Sequence, residues 1–402
     1  MTRLALVVQR FPRLSETFIS SKFLGLLDAG WDVHLVCQAF DAGLWETLPQ
    51  LATHPTARAR VHVVAPHGQP LEAAVRWLPQ SVVTAARAPR ATRRYWTGGR
   101  GSGKTLLKQS YLDAPLIALQ PDILHFEFGS LAVGRTYLKE RLGCKLTASF
   151  RGYDLNYVGL ESADTFDAVW READAIHLLG EDLWRRAQRR GCPPTMPHVL
   201  IPPAIDTAFF APPARRDEPD GRPLRLLSVG RLEWKKGYEY TLAAAALLRE
   251  RGLRFEYRIA GAGNYLEALA FARHELGLED AVTFLGALSR EAVREQMAWA
   301  DVFVHGAVSE GFCNAVLEAQ AMELPVVTSD ADGLSENVSD GLTGYVVPRR
   351  DPAALAARII TLAADARARS EMGAAGRARV EANFQLRDQI AAFDRFYREV
   401  AR

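Results

Sequence analysis

The feature that most limits this chain is an alternation. Short apolar, β-branched runs are separated by stretches of helical periodicity. The first series reads RLALVVQ, DVHLVC, RVHVVA, DILHFEF, KLTASF, AIHLLG and HVLIPP. A second series follows Pro223: LRLLSVGRL, FEYRIAG, VTFLGA, DVFVHGA, PVVTSD and GYVVP. Consecutive apolar residues mark a strand buried on both faces, since a strand with one wet face alternates. Helical patterns between such strands make the sheet parallel. Two series predict two doubly wound α/β domains. The Pro- and charge-rich APPARRDEPDGRP, Ala211 to Pro223, has neither period and is the expected linker.

The chain has 402 residues, 48% of them hydrophobic and 24% charged, which is ample core for two domains. The net charge is +2, with the cationic excess in the first series and an anionic excess in the second. An anionic partner is therefore expected on the first domain. Cys37, Cys144, Cys192 and Cys313 lie far apart with no C-x-x-C, which argues for reduced thiols rather than a disulfide or zinc framework. The first apolar run is too short for a signal-peptide core, and no stretch is long enough to span a membrane. The expected location is cytoplasmic.

Two stretches carry chemistry. In SEGFCNAVLEAQAMELPVVTSD a loop at Gly311 opens a helix, with Glu310 just before it and Glu318 further along. A helix start offers unpaired N–H groups and a positive dipole end, which suits a phosphate. Carboxylates accept hydrogen bonds from hydroxyls, so this pair suits a ligand with sugar hydroxyls on both sides of a phosphate. In SVGRLEWKKGYEYTL a strand ends at Gly230, and Arg231 and Lys236 follow where doubly wound sheets bind ligands. Arg offers phosphate a fork and Lys a point charge. Either stretch alone would also fit a solvated helix or a basic turn.

Taken together, GRLEWKKG and EGFCNAVLEAQA resemble the retaining glycosyltransferase family 4, whose fold is GT-B. IAGAGNYLEAL, VTFLGALS, ADVFV and LPVVTSDADGLSENVSDGLTGYVV fit the same pattern in order. RFPRLSETFI, ILHFEFG and SFRGYDL look like the members that build exopolysaccharide or lipopolysaccharide. The resemblance implies two Rossmann-like domains facing across a cleft, 1–212 plus 385–402 and 213–384, with the last helix crossing back to the first. It implies that Arg231 and Lys236 hold the donor diphosphate and offset the charge of the leaving group. Glu310 would contact the donor sugar and Glu318 the ribose. Gly230, Gly311 and the backbone of Phe312, Cys313, Asn314 and Ala315 would meet sugar and phosphate, with Val316 and Leu317 beside the phosphate. The base would lie against Gly286, Ala287 and Leu288, near Gly261 and Gly263. The donor, a nucleotide-sugar, is implied as substrate, with no metal and no cofactor. The DAD at Asp330 to Asp332 is expected to be a turn.

The chain departs from the family in places. His-Gly-x-Asp is frequent there; here it is Arg151-Gly152-Tyr153-Asp154. Arg cannot accept a proton, so a general base at that position is excluded. A front-face mechanism, in which the leaving phosphate oxygen takes the acceptor's proton, tolerates this. Arg151 would hold phosphate or an anionic acceptor, and Asp154 would orient it. His125, on an apolar strand, is an acceptor contact or a core histidine. The first loop lacks the frequent Gly-Gly turn. Ser15 is the expected N-cap, followed by Glu16 and Thr17, on the acceptor side or in a merely capped helix. His305 stands where the family often has Pro-Ser, and its role is open.

TGGRGSGKT, Thr97 to Thr105, matches the P-loop pattern, but a P-loop follows a buried strand and the preceding RAPRATRRYW is a poor one. It lies in a window, residues 73–112, that has no Asp or Glu and interleaves many cations with Trp77, Tyr95 and Trp96. Such a window suits an anionic membrane surface, or a solvated insertion. Without a nucleic-acid motif, no nucleic-acid partner is expected. The expected protein is a retaining, metal-independent hexosyltransferase. It would move a sugar from a UDP- or GDP-sugar to a glycan, glycolipid or lipid-linked acceptor in surface polysaccharide assembly, peripherally on the inner face of the cell membrane. The alternatives are a P-loop NTPase using Lys104 and a GT-B nucleotide-sugar epimerase with no acceptor.

Overall fold

The computed structural model describes residues 1–13, 16–64, 79, 81–98, 103–213 and 221–402. The chain divides into two units. One comprises Met1–Leu179, Leu183–Ile201 and Gln389–Arg402; the other comprises Gly180–Asp182 and Pro202–Asp388. Residues 214–220 of the expected linker lie outside the described residues.

Every apolar run is a strand. The first unit holds β1 (Arg3–Phe11), β2 (Asp32–Phe40), β3 (Val61–Val63), β4 (Ile123–Phe126), β5 (Lys145–Phe150), β6 (Ala175–Leu178) and β7 (His198–Leu200). They form one parallel sheet in the order β3-β2-β1-β4-β5-β6-β7. The second unit holds β8 (Leu224–Val229), β9 (Phe255–Ala260), β10 (Val282–Gly286), β11 (Val302–His305), β12 (Val326–Ser329) and β13 (Gly344–Val347). Their order is β10-β9-β8-β11-β12-β13, again parallel. Strand side chains alternate between faces. Leu226, Val304 and Val327 accordingly pack into one core, while Leu227, Phe303 and Val326 pack into another.

In each sheet the chain reverses its direction of winding once, between β1 and β4 and between β8 and β11. Loops at the carboxyl ends of the strands flanking such a reversal diverge and leave a crevice, which is where these sheets take ligands.

The helix Leu386–Ala401 supplies Phe393, Phe396 and Tyr397 to the first unit's core. Trp31 Nε1 donates to Asp394 at 2.8 Å, and the Trp31 ring meets Tyr397 edge-on at 5.9 Å. The helix Thr17–Asp28 admits it closely at Gly25, where a Cβ would lie 2.6 Å from Ile390.

The P-loop match does not follow a strand. Pro89–Thr97 is a helix, another helix runs from Gly103 to Leu112, and residues 99–102 lie outside the described residues. This removes the strand-to-helix turn an NTPase site at Lys104 would need. Tyr95, expected among surface aromatics, is buried and donates to Asp113 at 2.8 Å. Arg87, Arg90, Arg93, Arg94 and Trp96 are exposed; residues 73–78, with Arg76 and Trp77, lie outside the described residues. Among the described residues, no helix is long and apolar enough to cross a membrane.

Candidate functional site

The two chemical stretches lie on the strands flanking the second unit's reversal. β8 ends at Val229 and leads through Gly230 and Arg231 to a short turn, Trp234–Lys236. β11 ends at His305 and leads through Glu310 to the helix Asn314–Ala321. Gly237 locks the two loops together. Its φ is +61°, and a Cβ there would lie 2.0 Å from the Gly306 carbonyl oxygen, so only glycine fits. Val308 N–H donates to the Lys235 carbonyl at 2.8 Å.

This registration brings the Lys236 ammonium onto Glu310 Oε2. Burial pushes the Glu310 carboxyl up. The Lys236 charge and His305 outweigh it and hold the group down at about 2. Burial pulls Lys236 down, and Glu310 more than restores it, so Lys236 stays firmly cationic. The buried His305 imidazole sits 3.5 Å from Cys313 Sγ and 3.6 Å from Glu310 Oε2. Burial lowers its affinity for a proton, but Cys313 and Glu310 reverse that and raise it to about 9. Cys313, which burial alone would raise, is lowered by His305 and Lys236.

The Glu310 loop is clamped from behind. Asp332 accepts from Ser309 Oγ at 2.6 Å and from Glu310 N–H at 3.1 Å, and Arg349 holds its other oxygen at 3.1 Å. Asn337 exchanges two 3.1 Å hydrogen bonds with the Cys313 backbone. The DAD segment is a turn, yet one of its carboxylates positions the site loop. Arg231 is exposed and donates to Glu233 at 2.6 Å. Gly230, Gly261 and Gly286 join the ends of β8, β9 and β10. Gly230 N–H donates to Ala260 at 3.0 Å, and Gly261 N–H to Gly286 at 2.8 Å. Gly263 lies against Leu232, whose carbonyl a Cβ would approach to 2.2 Å. Ala287 is exposed and Leu288 half-buried beside them.

Cys313 is the N-cap position of the helix Asn314–Ala321, and its side chain makes no capping bond. Val316 and Leu317 lie near the start of the same helix. Both side chains are fully buried in core, and Leu317 N–H is already bonded to the Cys313 carbonyl. Gly311 is buried; Phe312, Asn314 and Ala315 are half-buried. Glu318 is half-buried, and desolvation, eased only by Arg290, raises its carboxyl to about 7.

In the first unit, two of the expected acceptor residues, His125 and Asp154, are turned inward. His125 is fully buried between Thr147 (2.8 Å) and Ser149 (2.9 Å), so it has no surface to offer an acceptor. Asp154 is also fully buried and accepts from Ser130 N–H at 2.8 Å and Arg151 N–H at 3.0 Å. It caps a helix rather than facing a ligand. Arg151 stacks on Phe18 at 3.8 Å and reaches Glu127 at 3.3 Å. Ser15 lies outside the described residues; the N-cap position falls on Glu16, which pairs with Arg13 at 2.7 Å, and Thr17 is half-buried. Beneath Arg151 lies a pair that sequence reasoning missed: Lys22 and Glu127, both wholly buried, 2.7 Å apart. The available signal was Lys22 on the apolar stripe of Ile19, Phe23 and Leu26. Desolvation lowers Lys22 to about 8 against the pull of Glu127.

Residues 214–379 match the family model of the glycosyl transferases group 1. Over 271 residues the chain is 32% identical to the GDP-mannose-dependent alpha-(1-6)-phosphatidylinositol monomannoside mannosyltransferase of Mycolicibacterium smegmatis, covering 63% of this chain and 70% of that one. The chain belongs to the group 1 glycosyl transferases. This glycosyltransferase is also 27% identical to the amylovoran biosynthesis glycosyltransferase AmsK of Erwinia amylovora, over 95% of its own length and 96% of the relative's. Its fold is GT-B. It is similar to Anabaena Alr3699/HepE, solved in complex with UDP, at a TM-score of 0.74 and 16% identity, covering 99% of this chain and 100% of that one.

Proposed function

We propose that this glycosyltransferase is a family 4 enzyme that transfers a hexose, with retention and without a catalytic metal, from a UDP- or GDP-sugar. The acceptor is a glycan, glycolipid or lipid-linked saccharide of exopolysaccharide assembly. The observation that carries this reading is the meeting of Lys236 and Glu310, one from each strand flanking the reversal, beside a helix start. Relatives named for GDP-mannose and amylovoran, and a UDP-bound neighbour, support the donor and acceptor classes.

Donor diphosphate takes Lys236 and the exposed Arg231 as counter-charges. Glu310, released from Lys236, accepts hydrogen bonds from the sugar hydroxyls. As the glycosidic bond breaks, negative charge gathers on the leaving phosphate, and fixed cations stabilise it without reorganising. The leaving oxygen takes the acceptor's proton on the same face, consistent with Arg rather than a base at position 151.

A thermal-shift screen over UDP-, GDP-, dTDP- and ADP-sugars tests the donor. A binding donor at about 100 times its dissociation constant stabilises the fold by roughly 2.7 kcal/mol. Lys236→Ala abolishes that shift, and Glu310→Ala lowers transfer by about 100-fold or more while the fold persists. Stabilisation by no nucleotide-sugar, or near-normal turnover in either variant, overturns the assignment. Product formation that does not depend on added acceptor would point to an epimerase.

A further inference from the structure

His305, Glu310 and Cys313 come from one turn of chain: the last residue of β11, the loop after it and the residue that opens the helix Asn314–Ala321. One ligand atom from each lies within 4.8 Å of the other two. His305 Nε2 is 3.5 Å from Cys313 Sγ and 3.6 Å from Glu310 Oε2. With Zn–S of about 2.3 Å and Zn–N and Zn–O of about 2.0–2.2 Å, a zinc tetrahedron has S···N edges of about 3.5 Å and N···O edges of about 3.3–3.5 Å. Two of the three edges of such a site therefore already stand at tetrahedral length. The third pair lies within the same small radius.

The surroundings fit a metal ligand set in two further respects. His305 is 1% exposed, and Nε2 is the ring nitrogen aimed at both Cys313 and Glu310. The Asp332 and Asn337 bonds fix the backbone of the loop that carries Glu310 and Cys313 without using either side chain. The Glu310 side chain is 15% exposed, which gives an ion a way in. One sulfur, one imidazole and one carboxylate suit zinc or cobalt and not the hard, oxygen-seeking magnesium or calcium.

We propose that His305, Glu310 and Cys313 form an inhibitory site for a zinc-class divalent cation, with the fourth position left open. A cation there draws Glu310 away from Lys236 and occupies the place where donor sugar and phosphate converge. Metal and nucleotide-sugar therefore exclude each other. The exclusion rests on the donor reading given above; the metal site itself does not.

The test is titration of the full, metal-stripped chain with Co²⁺, read by its ligand-field spectrum and its thiolate-to-cobalt charge-transfer band. One equivalent should produce both, and Zn²⁺ should displace it. Cys313→Ser should abolish the charge-transfer band, and His305→Gln should weaken Co²⁺ binding at least tenfold. Cys37→Ser, in a strand of the other unit, should leave the spectrum unchanged. No charge-transfer band in the parent chain, or a band that survives Cys313→Ser, overturns the site; if Cys313→Ser fails to fold, unweakened binding in His305→Gln does so. A donor found by thermal shift should raise the apparent Co²⁺ dissociation constant by one plus the ratio of donor concentration to its own dissociation constant. Cobalt bound with no effect of that donor overturns the exclusion. A chain that binds cobalt but no nucleotide-sugar overturns the donor reading and leaves the metal site standing.

Discussion

Glu318→Gln should make this protein more stable and a poorer binder of its donor, and the gain should depend on pH. In the folded chain burial raises the Glu318 carboxyl from 4.5 to about 7. At 1.36 kcal/mol per pH unit, keeping that carboxylate ionised costs the fold about 3 kcal/mol at full burial. The group is half-buried, and solvent screening reduces this to roughly 2 kcal/mol. The sign follows from proton counting. Between pH 4.5 and about 7 the folded chain holds a proton that the unfolded chain has released. Stability therefore falls as pH rises through that window and stays at its lower value above it. Glutamine keeps the shape and cannot ionise, so the variant escapes the loss. Thermal unfolding of parent and variant near pH 5 and near pH 8 reads the difference. For a unit of this size the variant's advantage should widen by about 4–8 °C between the two conditions. An advantage of equal size at both pH values, or one that shrinks as pH rises, would refute the reasoning. Because the carboxylate is proposed to accept from ribose hydroxyls, donor affinity should weaken below about pH 7 in the parent and stay flat in the variant.

Lys22→Met should destabilise the first unit by about 3 kcal/mol in guanidinium unfolding, because Glu127 is left in the core with Arg151 alone. Lys22→Met/Glu127→Gln should recover most of that loss; a double variant as unstable as the sum of its singles would contradict the pairing. Gly237→Ala should cost about 1–3 kcal/mol in backbone strain, plus the clash with Gly306, and should lower kcat by displacing the adjacent Lys236. An unaltered rate would show that the loop tolerates a side chain there. If the exposed Arg93 and Arg94 meet an anionic membrane, flotation with anionic liposomes should fall sharply in Arg93→Glu/Arg94→Glu, and equal recovery would dismiss the idea.

The strands were legible because strands buried in parallel sheets leave a local mark. RLALVVQ and LRLLSV need no partner to be recognised, since both their faces must be apolar. Lys236 and Glu310 stood out as a strand-end cation and a helix-start carboxylate, but only the resemblance joined them into one site; each alone fits a surface charge. The rest depends on contacts distant in sequence. Whether His125 faces inward is decided by Thr147 and Ser149 on a neighbouring strand. Asp154 reads as a ligand contact until Ser130 supplies the amide that occupies it. Asp332 looked like one of two turn residues, and its hold on the Glu310 loop depends on β12 lying beside β11. Val316 and Leu317 turned inward because the helix Asn314–Ala321 needs an apolar face against the core.

The last helix has a consequence for synthesis. Residues 1–201 leave the ribosome without Phe393, Phe396 and Tyr397, which complete their core beside Trp31 and the buried Lys22. Those side chains follow only after the whole second unit, a delay of about 10–40 seconds at roughly 5–20 residues per second. The first half of the chain to be translated is thus the second to be finished. During that interval its unfinished face is the surface a chaperone would have to shield.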